Sequence, residues 1–345
     1  MAVSRNSPRV SVVIPTYNRA AFLPGAIASV QGQTVADWEL IVVDDASKDD
    51  TRVLIERVAR ADPRIRGIVN DHAPGPAGAR NAGIARARAD FVAFLDSDDL
   101  WSPDHLEQLL TRLAPEPDLG LAATDHRMVD RQAGTSGTAR EFLMQTMLPW
   151  WETMPLARAV IPCARMRADI AAIAEPAAIL GETIGGFLWI QTSAVMVRRP
   201  VLQSAGPFDE MLRRTEDIDL WLRISRRWPI GFVDRPSVFY DVTGRRDASG
   251  PRYENQAAER RHSAYGERLH HARLLGRIAR LPDLTRAQRA FLRDRRGAIH
   301  RRAAQLAGGG RRGAAAWHCA LSLWHRPAGM ADFARAPRAF FREPA

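Results

Sequence analysis

Two patterns of apolar residues alternate along the first half of the chain, and they predict different elements. Val10 to Ile14 (VSVVI), Trp38 to Val43 (WELIVV), Ile65 to Val69 and Phe91 to Leu95 are short runs rich in β-branched and other apolar residues, the mark of strands. Between them lie stretches with helical spacing. Phe22, Ala26, Ile27 and Val30 share one face of a helix over Phe22 to Gln31. Asp49-Asp50-Thr51 opens a second helix through Ala59, its acids matched to the helix dipole, and Ala79 to Ala89 forms a third. Strands that alternate with helices predict a parallel sheet.

The second half continues less regularly. Ser102-Pro103 marks a helix start, Asp104 to Leu113 the helix, and Leu119 to Thr124 a further strand. From Arg127 to Leu180 the pattern follows neither period. Ile184 to Val197 is mostly apolar and ends in a strand, SAVMV. Gly206 to Asp209 is a turn, Thr215 caps a helix over Ile218 to Arg226, and Phe232-Val233 and Ser237 to Tyr240 are short closing strands. From Glu254 the spacing is helical, broken at Gly308-Gly309-Gly310 and resumed from Gly313 to Trp324.

Composition adds little until charge is divided along the chain. With 345 residues, 46% apolar and 26% charged, the chain reads as one large α/β domain with an appendage. Its two cysteines, Cys163 and Cys319, match no metal or redox spacing, so a reducing compartment is expected. No apolar run reaches membrane-spanning length, and Arg5, Asn6 and Pro8 lead straight into the first strand with no secretory signal, so a cytoplasmic location is expected. The net charge of +10 is uneven. From Arg245 onward 22 arginines face 8 acidic residues, a surplus of +14, which leaves −4 on the first 244 residues. The basic tail calls for an anionic partner. A peripheral contact with the inner face of an anionic membrane fits better than nucleic acid, because no nucleic-acid-reading motif accompanies the charge.

The chemistry gathers at strand ends. Pro15-Thr16-Tyr17-Asn18, Asp44-Asp45-Ala46-Ser47 and Asp96-Ser97-Asp98-Asp99 each follow a strand, and ligands of open α/β sheets bind at that edge. Crowded carboxylates repel one another, and a hard divalent cation, Mg²⁺ or Mn²⁺, shared with substrate phosphates would relieve them. An Asp-rich turn capping the next helix explains the same residues, Asp99 above all. Gly75 to Gly83 (GPAGARNAG) has neither dinucleotide nor P-loop spacing. It reads as a glycine loop that opens a helix and offers Arg80 and free N–H groups to an anion, or as a packing turn with a surface arginine.

Four elements in order, VSVVIPTYN from Val10, IVVDDASKDD from Ile41, GPAGARNAG with FVAFLDSDD from Gly75 to Asp99, and GPFDE with TEDIDLWLR from Gly206 to Arg223, resemble the inverting family 2 glycosyltransferases. The resemblance covers roughly Val10 to Tyr240. It implies a GT-A fold, a Rossmann-like, mostly parallel sheet flanked by helices, over residues 1–245. A nucleotide-sugar half over about 1–124 and an acceptor half over about 125–245 make up that domain, and an Arg-rich helical extension fills 246–345. It implies transfer of one sugar from a nucleotide-diphosphate sugar to a glycan or lipid-linked acceptor, with Mn²⁺ or Mg²⁺ as cofactor. Carried over residue by residue, Pro15, Thr16 and Tyr17 line the base and ribose, and Asp45, with Asp44 as alternative, accepts a hydrogen bond from the base. Arg80 lies near the base or diphosphate, Asp96 and Asp98 form the DxD pair with Asp98 the favoured metal ligand, and Asp217 is the catalytic base, with Glu216 or Asp209 as alternatives. Two features depart from the pattern. Tyr240 is followed by Asp241 to Gly244, so no histidine completes the metal shell there. The QxxRW motif of processive members is absent, which favours single-sugar transfer. Trp150, Trp151 and Trp189 are candidates for stacking on an acceptor sugar. A nucleotidyltransferase, or a binding module without catalysis, is the competing expectation.

Overall fold

The computed structural model describes residues 7–130, 135–138, 190–212 and 215–241, and part of the stretch between 272 and 300. The alternation of the first half is realised as β1 (Val10–Thr16), α1 (Leu23–Gln31), β2 (Trp38–Asp44), α2 (Thr51–Ala61), β3 (Ile65–Val69), α3 (Pro76–Arg86) and β4 (Phe91–Phe94). Every residue of β1, β2 and β4 is buried, as strands covered by helices on both faces require. They pair in parallel in the order β3-β2-β1-β4. The C-terminal ends of β1, β2 and β4 therefore share one edge of the sheet.

Beyond β4 the sheet changes direction. β8 (Val195–Arg198) lies antiparallel between β4 and β6 (Leu121–Asp130), β9 (Ile230–Asp241) runs parallel to β6, and β5 (Leu100–Trp101) pairs antiparallel with β9. A short β7 (Thr135–Thr138) is antiparallel to β6. β6 reaches six residues past the expected Thr124, and the two expected closing strands are one strand of 12 residues. Their register slips twice, at Thr124/Asp125 and Asp125/His126. Bulges of this kind recur beside active sites, where they re-aim side chains.

Three helix starts differ from expectation for local reasons. α3 begins at Pro76, three residues before Ala79, because Gly75 turns the chain at φ 121° and Pro76 is pre-set for the first helical position. α4 (His105–Leu113) starts past Ser102-Pro103, because Leu100 and Trp101 are drawn into the sheet opposite Phe239 and Val238. α6 (Glu216–Ser225) starts two residues before Ile218. Thr215 precedes it as expected, but at φ 65° and with no side-chain capping bond. α5 (Arg199–Ala205) completes the helices of this region.

Close packing fixes α3 and α6 over the sheet edge. A Cβ on Gly83 would come within 2.4 Å of Val13 Cγ1, so α3 lies against β1 only because that residue is glycine. Trp221 of α6, Phe94 of β4 and Phe208 meet edge-on or tilted, with ring centroids 5.4 to 6.4 Å apart, and all three are buried. Such pairs add about 0.5–1.5 kcal/mol each beyond area burial. They hold α6 against the sheet through its second turn.

The sheet residues belong to one compact unit and the described residues from 272 onward to a second. The latter are mostly helical, with Ala272, Leu275 and Leu292 buried. Gly276 abuts Arg296, whose Nη1 would lie 2.9 Å from an added Cβ. No helix of the described residues is long and apolar enough to cross a membrane.

Candidate active site

The loops after β1 and β2 are knitted together at the sheet edge. Asn18 donates its N–H to Ser47 Oγ at 2.9 Å, and its Oδ1 accepts from the Lys48 N–H at 2.7 Å. The Arg19 N–H donates to Thr51 Oγ1 at 2.8 Å, and Ala20 N–H to Asp49 Oδ2 at 3.2 Å. Asp49 thus ties two loops, beyond complementing a helix dipole. Pro15 and Thr16 are buried, the Thr16 hydroxyl has no hydrogen-bond partner, and Tyr17 stands 49% exposed on the rim. Asp44 is buried and accepts the Ser47 N–H. Asp45, further out, accepts from Asn70 Nδ2 at 2.6 Å and from the Gly75 N–H at 2.7 Å. Each of its oxygens keeps a further lone pair for a ligand donor.

The turn after β4 carries three carboxylates in three settings. Asp99 is buried and accepts the Ser193 hydroxyl at 2.6 Å. It makes no cap for α4, whose preceding residue is Asp104, so the capping expectation is corrected. Asp96 and Asp98 are 31% and 24% exposed at the side chain. Ser193 Oγ also accepts the Asp96 N–H at 3.0 Å, and its carbonyl accepts Trp101 Nε1–H at 2.7 Å. One serine, just before β8, therefore shapes the whole acidic turn.

Arg80 joins this turn to α6. Its side chain is 4% exposed, Nη2 donates to Asp96 Oδ1 and Nη1 to Glu216 Oε1, both at 2.7 Å. Burial opposes its charge, but Asp96 and Glu216 hold it protonated well above the usual arginine range. The guanidinium is thus a buried bridge between two carboxylates, set in the loop-to-helix turn where the sequence places it. Next to Glu216, Asp217 accepts Thr192 Oγ1–H at 3.1 Å and the Ile218 N–H at 2.8 Å. Burial lifts both carboxyls above their ordinary values, and the charge of Arg80 opposes the rise. A part-buried carboxylate with a raised pKa, held beside a polar edge, has the character of a general base.

The structure therefore brings Arg80, Asp96, Glu216 and Asp217 into one network, with Asp98 in the same turn as Asp96. Thr16, Tyr17 and Asp45 line the adjoining loops, and Asp209 accepts the Met211 N–H. Four contributors escaped sequence reasoning. Thr192 and Ser193 sit in an apolar stretch with no periodic signal. Asn81 clamps Phe208 through its N–H and carbonyl at 2.9 Å each, and Glu210 accepts from Asn81 at 2.8 Å. Both lie inside recognised motifs, which were the available signal. Trp150, Trp151, Trp189 and most of Arg127 to Ile190 lie outside the described residues.

The residues suit a hard divalent cation that substrate oxygens complete. Among the described residues no group of three or more His, Cys, Asp and Glu could hold a metal by itself. Asp98 and Asp96 nevertheless present part-exposed carboxylates, and a cationic stand-in, Arg19 Nη2, already sits 3.6 Å from Asp98 Oδ2. One or two carboxylates plus phosphates is the usual binding mode of Mg²⁺ in nucleotide sites.

Comparison with known proteins points to glycosyltransferases. Residues 11–162 match the family model described as Glycosyl transferase family 2. A 104-residue stretch is 42% identical to an Escherichia coli UDP-Glc:alpha-D-GlcNAc-diphosphoundecaprenol beta-1,3-glucosyltransferase, covering 30% of this chain and 40% of that protein. The match thus spans well under half of the curated relative. In fold, the chain is similar to S. aureus TarS 1-349 (TM-score 0.56, 14% identity, 95% and 91% of the two chains). It is also similar to the mannosyltransferase PcManGT from Pyrobaculum calidifontis (TM-score 0.53, 18% identity, 97% and 81%). The family match over residues 11–162, the stretch of identity with the E. coli relative and the likeness in fold together make this chain similar to the family 2 glycosyltransferases.

Proposed function

We propose that the protein is an inverting, metal-dependent hexosyltransferase. It moves one sugar from a nucleotide-diphosphate sugar to a hydroxyl of a glycan or lipid-linked acceptor, in the assembly of bacterial cell-surface glycan or glycolipid. The observation that carries this reading is Asp217, held by Thr192 and linked through the Glu216–Arg80–Asp96 bridge to the acidic turn. Asp217 takes the proton of the acceptor hydroxyl as its oxygen attacks the anomeric carbon. The bond from that carbon to the diphosphate oxygen breaks on the opposite face, which inverts the centre. Tyr17 stacks on the base, Thr16 offers its unpartnered hydroxyl to the nucleoside, and Asp45 accepts from the base. Asp98, with Asp96, holds Mn²⁺ or Mg²⁺, which when bound neutralises charge on the leaving diphosphate. The E. coli relative is named for a diphosphoundecaprenol acceptor, and PcManGT was solved with GDP-Man and Mn²⁺. Both support the substrate classes proposed.

A thermal-shift screen of nucleotide sugars with and without Mn²⁺ tests the donor. A true donor at 100 times its Kd stabilises by about 2.7 kcal/mol. Asp217→Asn keeps that shift and loses transfer by about 100-fold or more. Donor binding with full transfer in Asp217→Asn moves the base elsewhere, and no shift with any nucleotide sugar overturns the reading.

A further inference from the structure

The strongest feature that the proposed chemistry leaves unused is Arg19. Its main chain is fixed on both sides. The N–H donates to Thr51 Oγ1, and the carbonyl accepts from Phe22 and Leu23 N–H at 3.0 and 2.9 Å. Its side chain is not fixed in that way. It reaches across from the β1 loop to Asp98 with a single 3.6 Å approach, and both partners remain 24% exposed. A long, flexible cation on a rigid base, held by one loose ion pair at a part-exposed carboxylate, can leave at small cost.

We infer that Arg19 is a built-in counter-cation: it neutralises Asp98 until a divalent ion takes its place, and then pairs with the donor's diphosphate. This rests on the reading of Asp98 as metal ligand. Two arguments support the exchange. First, Arg19 Nη2 approaches Asp98 at Oδ2, and a divalent cation taking that same oxygen repels the guanidinium, so metal entry there favours its displacement. Second, the displaced group carries a planar set of donors suited to phosphate. Its anchored backbone lies in the same loop as Tyr17, so the swing moves the charge along the rim where the donor is proposed to lie. The opposing carboxylates Asp96 and Asp99 are already engaged with Arg80 and Ser193, so they offer Arg19 no equivalent resting place.

The test uses the full chain and two readouts other than turnover. Mn²⁺ binding to the ligand-free protein is measured from the electron paramagnetic resonance signal of free Mn²⁺, for wild type, Arg19→Ala and Arg19→Lys. UDP and GDP binding is then measured by calorimetry with saturating Mn²⁺. The expected result is tighter Mn²⁺ binding by Arg19→Ala, about threefold or more, with weaker nucleotide-diphosphate binding in the same variant and intermediate values for Arg19→Lys. Unchanged Mn²⁺ affinity in Arg19→Ala overturns the inference. Tighter Mn²⁺ with unchanged diphosphate affinity overturns the transfer to diphosphate. Wild type that binds UDP or GDP but no Mn²⁺ overturns the inference and leaves the donor reading standing. Wild type that binds neither overturns both.

Discussion

At the scale of single residues, backbone strain is concentrated where ligands are proposed to sit. Among the described residues three non-glycine positions have positive φ: Asn18 at 51°, Ala46 at 63° and Thr215 at 65°. They adjoin Tyr17, Asp45 and Glu216, one at each of three loops of the candidate site. Asparagine tolerates this conformation. Alanine and a β-branched threonine do so at a cost of about 1–3 kcal/mol, borne by the surrounding structure. Ala46 is the clean test, because its exposed methyl can be removed with little loss of packing. Ala46→Gly is expected to stabilise the protein by about 0.5–1 kcal/mol, read as a rise in Tm, even though glycine loosens the unfolded chain. A fall in Tm would show that the methyl is needed more than the turn is strained. None of this strain was readable beforehand: Thr215 announces a helix start by its type, but the turn it adopts is imposed by the packing of α6. The places of Asp96, Asp98 and Asp217, just after a strand and at a helix start, were readable because the apolar pattern sets those element ends. Ser193 was not, since one hydroxyl among apolar neighbours has no pattern to betray that it holds the acidic turn.

At the scale of elements, the parallel half follows from alternation and the antiparallel half does not. β5 has two residues, too few for any periodicity, and exists because Leu100 and Trp101 meet Phe239 and Val238 some 140 positions later. The closure is sealed by His105 on α4. It stacks on Trp101 at 4.3 Å, has Nδ1 2.7 Å from Ser237 Oγ, and is wholly buried. Burial pushes its pKa down to about 3, with nearby Asp104 opposing the shift, and burial pushes His126 down to about 4. The unfolded histidine titrates near 6.5. Between about pH 6.5 and 3 the unfolded chain therefore binds a proton that the folded chain refuses, so stability falls as pH drops through that window and is level above it. At pH 5 the loss attributable to His105 is about 2 kcal/mol. His105→Gln is expected to be less stable at pH 7.5 but to lose less Tm between pH 7.5 and 5 than wild type does. Glu216 and Asp217, raised by burial, act with the opposite sign, but equally in both proteins, so the difference between the two curves isolates His105. Equal slopes would mean that the ring gains a proton without leaving its site.

At the scale of the whole molecule, charge is divided as the fold is. The unit that carries the sheet lies within the acidic −4 portion, whereas the +14 surplus begins at Arg245, after the last strand. The helical, Arg-rich character expected of the extension holds for most of the described residues between 272 and 300. There Leu275 and Leu292 are buried while Arg273, Arg277, Arg280 and Arg293 are exposed. Leu274, Ile278 and Phe291 lie outside the described residues, as does the expected helix from Gly313 to Trp324. Exposed arginines beside buried apolar residues are suited to an anionic bilayer surface, where each basic residue contributes about 1 kcal/mol. Several such residues give reversible attachment without a membrane span, which suits an enzyme proposed to meet a lipid-linked acceptor. Co-sedimentation with vesicles tests the idea. The full-length protein is expected to pellet with phosphatidylglycerol-containing vesicles, to ignore neutral phosphatidylcholine, and to be released as salt shortens the Debye length from about 30 Å at 0.01 M to about 10 Å at 0.1 M. Replacing Arg273, Arg277, Arg280 and Arg293 with glutamine should remove most of that binding without lowering affinity for the nucleotide sugar. If the wild-type protein stays in the supernatant with anionic vesicles at low salt, the extension has no role in membrane attachment, and its charge is only that of a solvated surface.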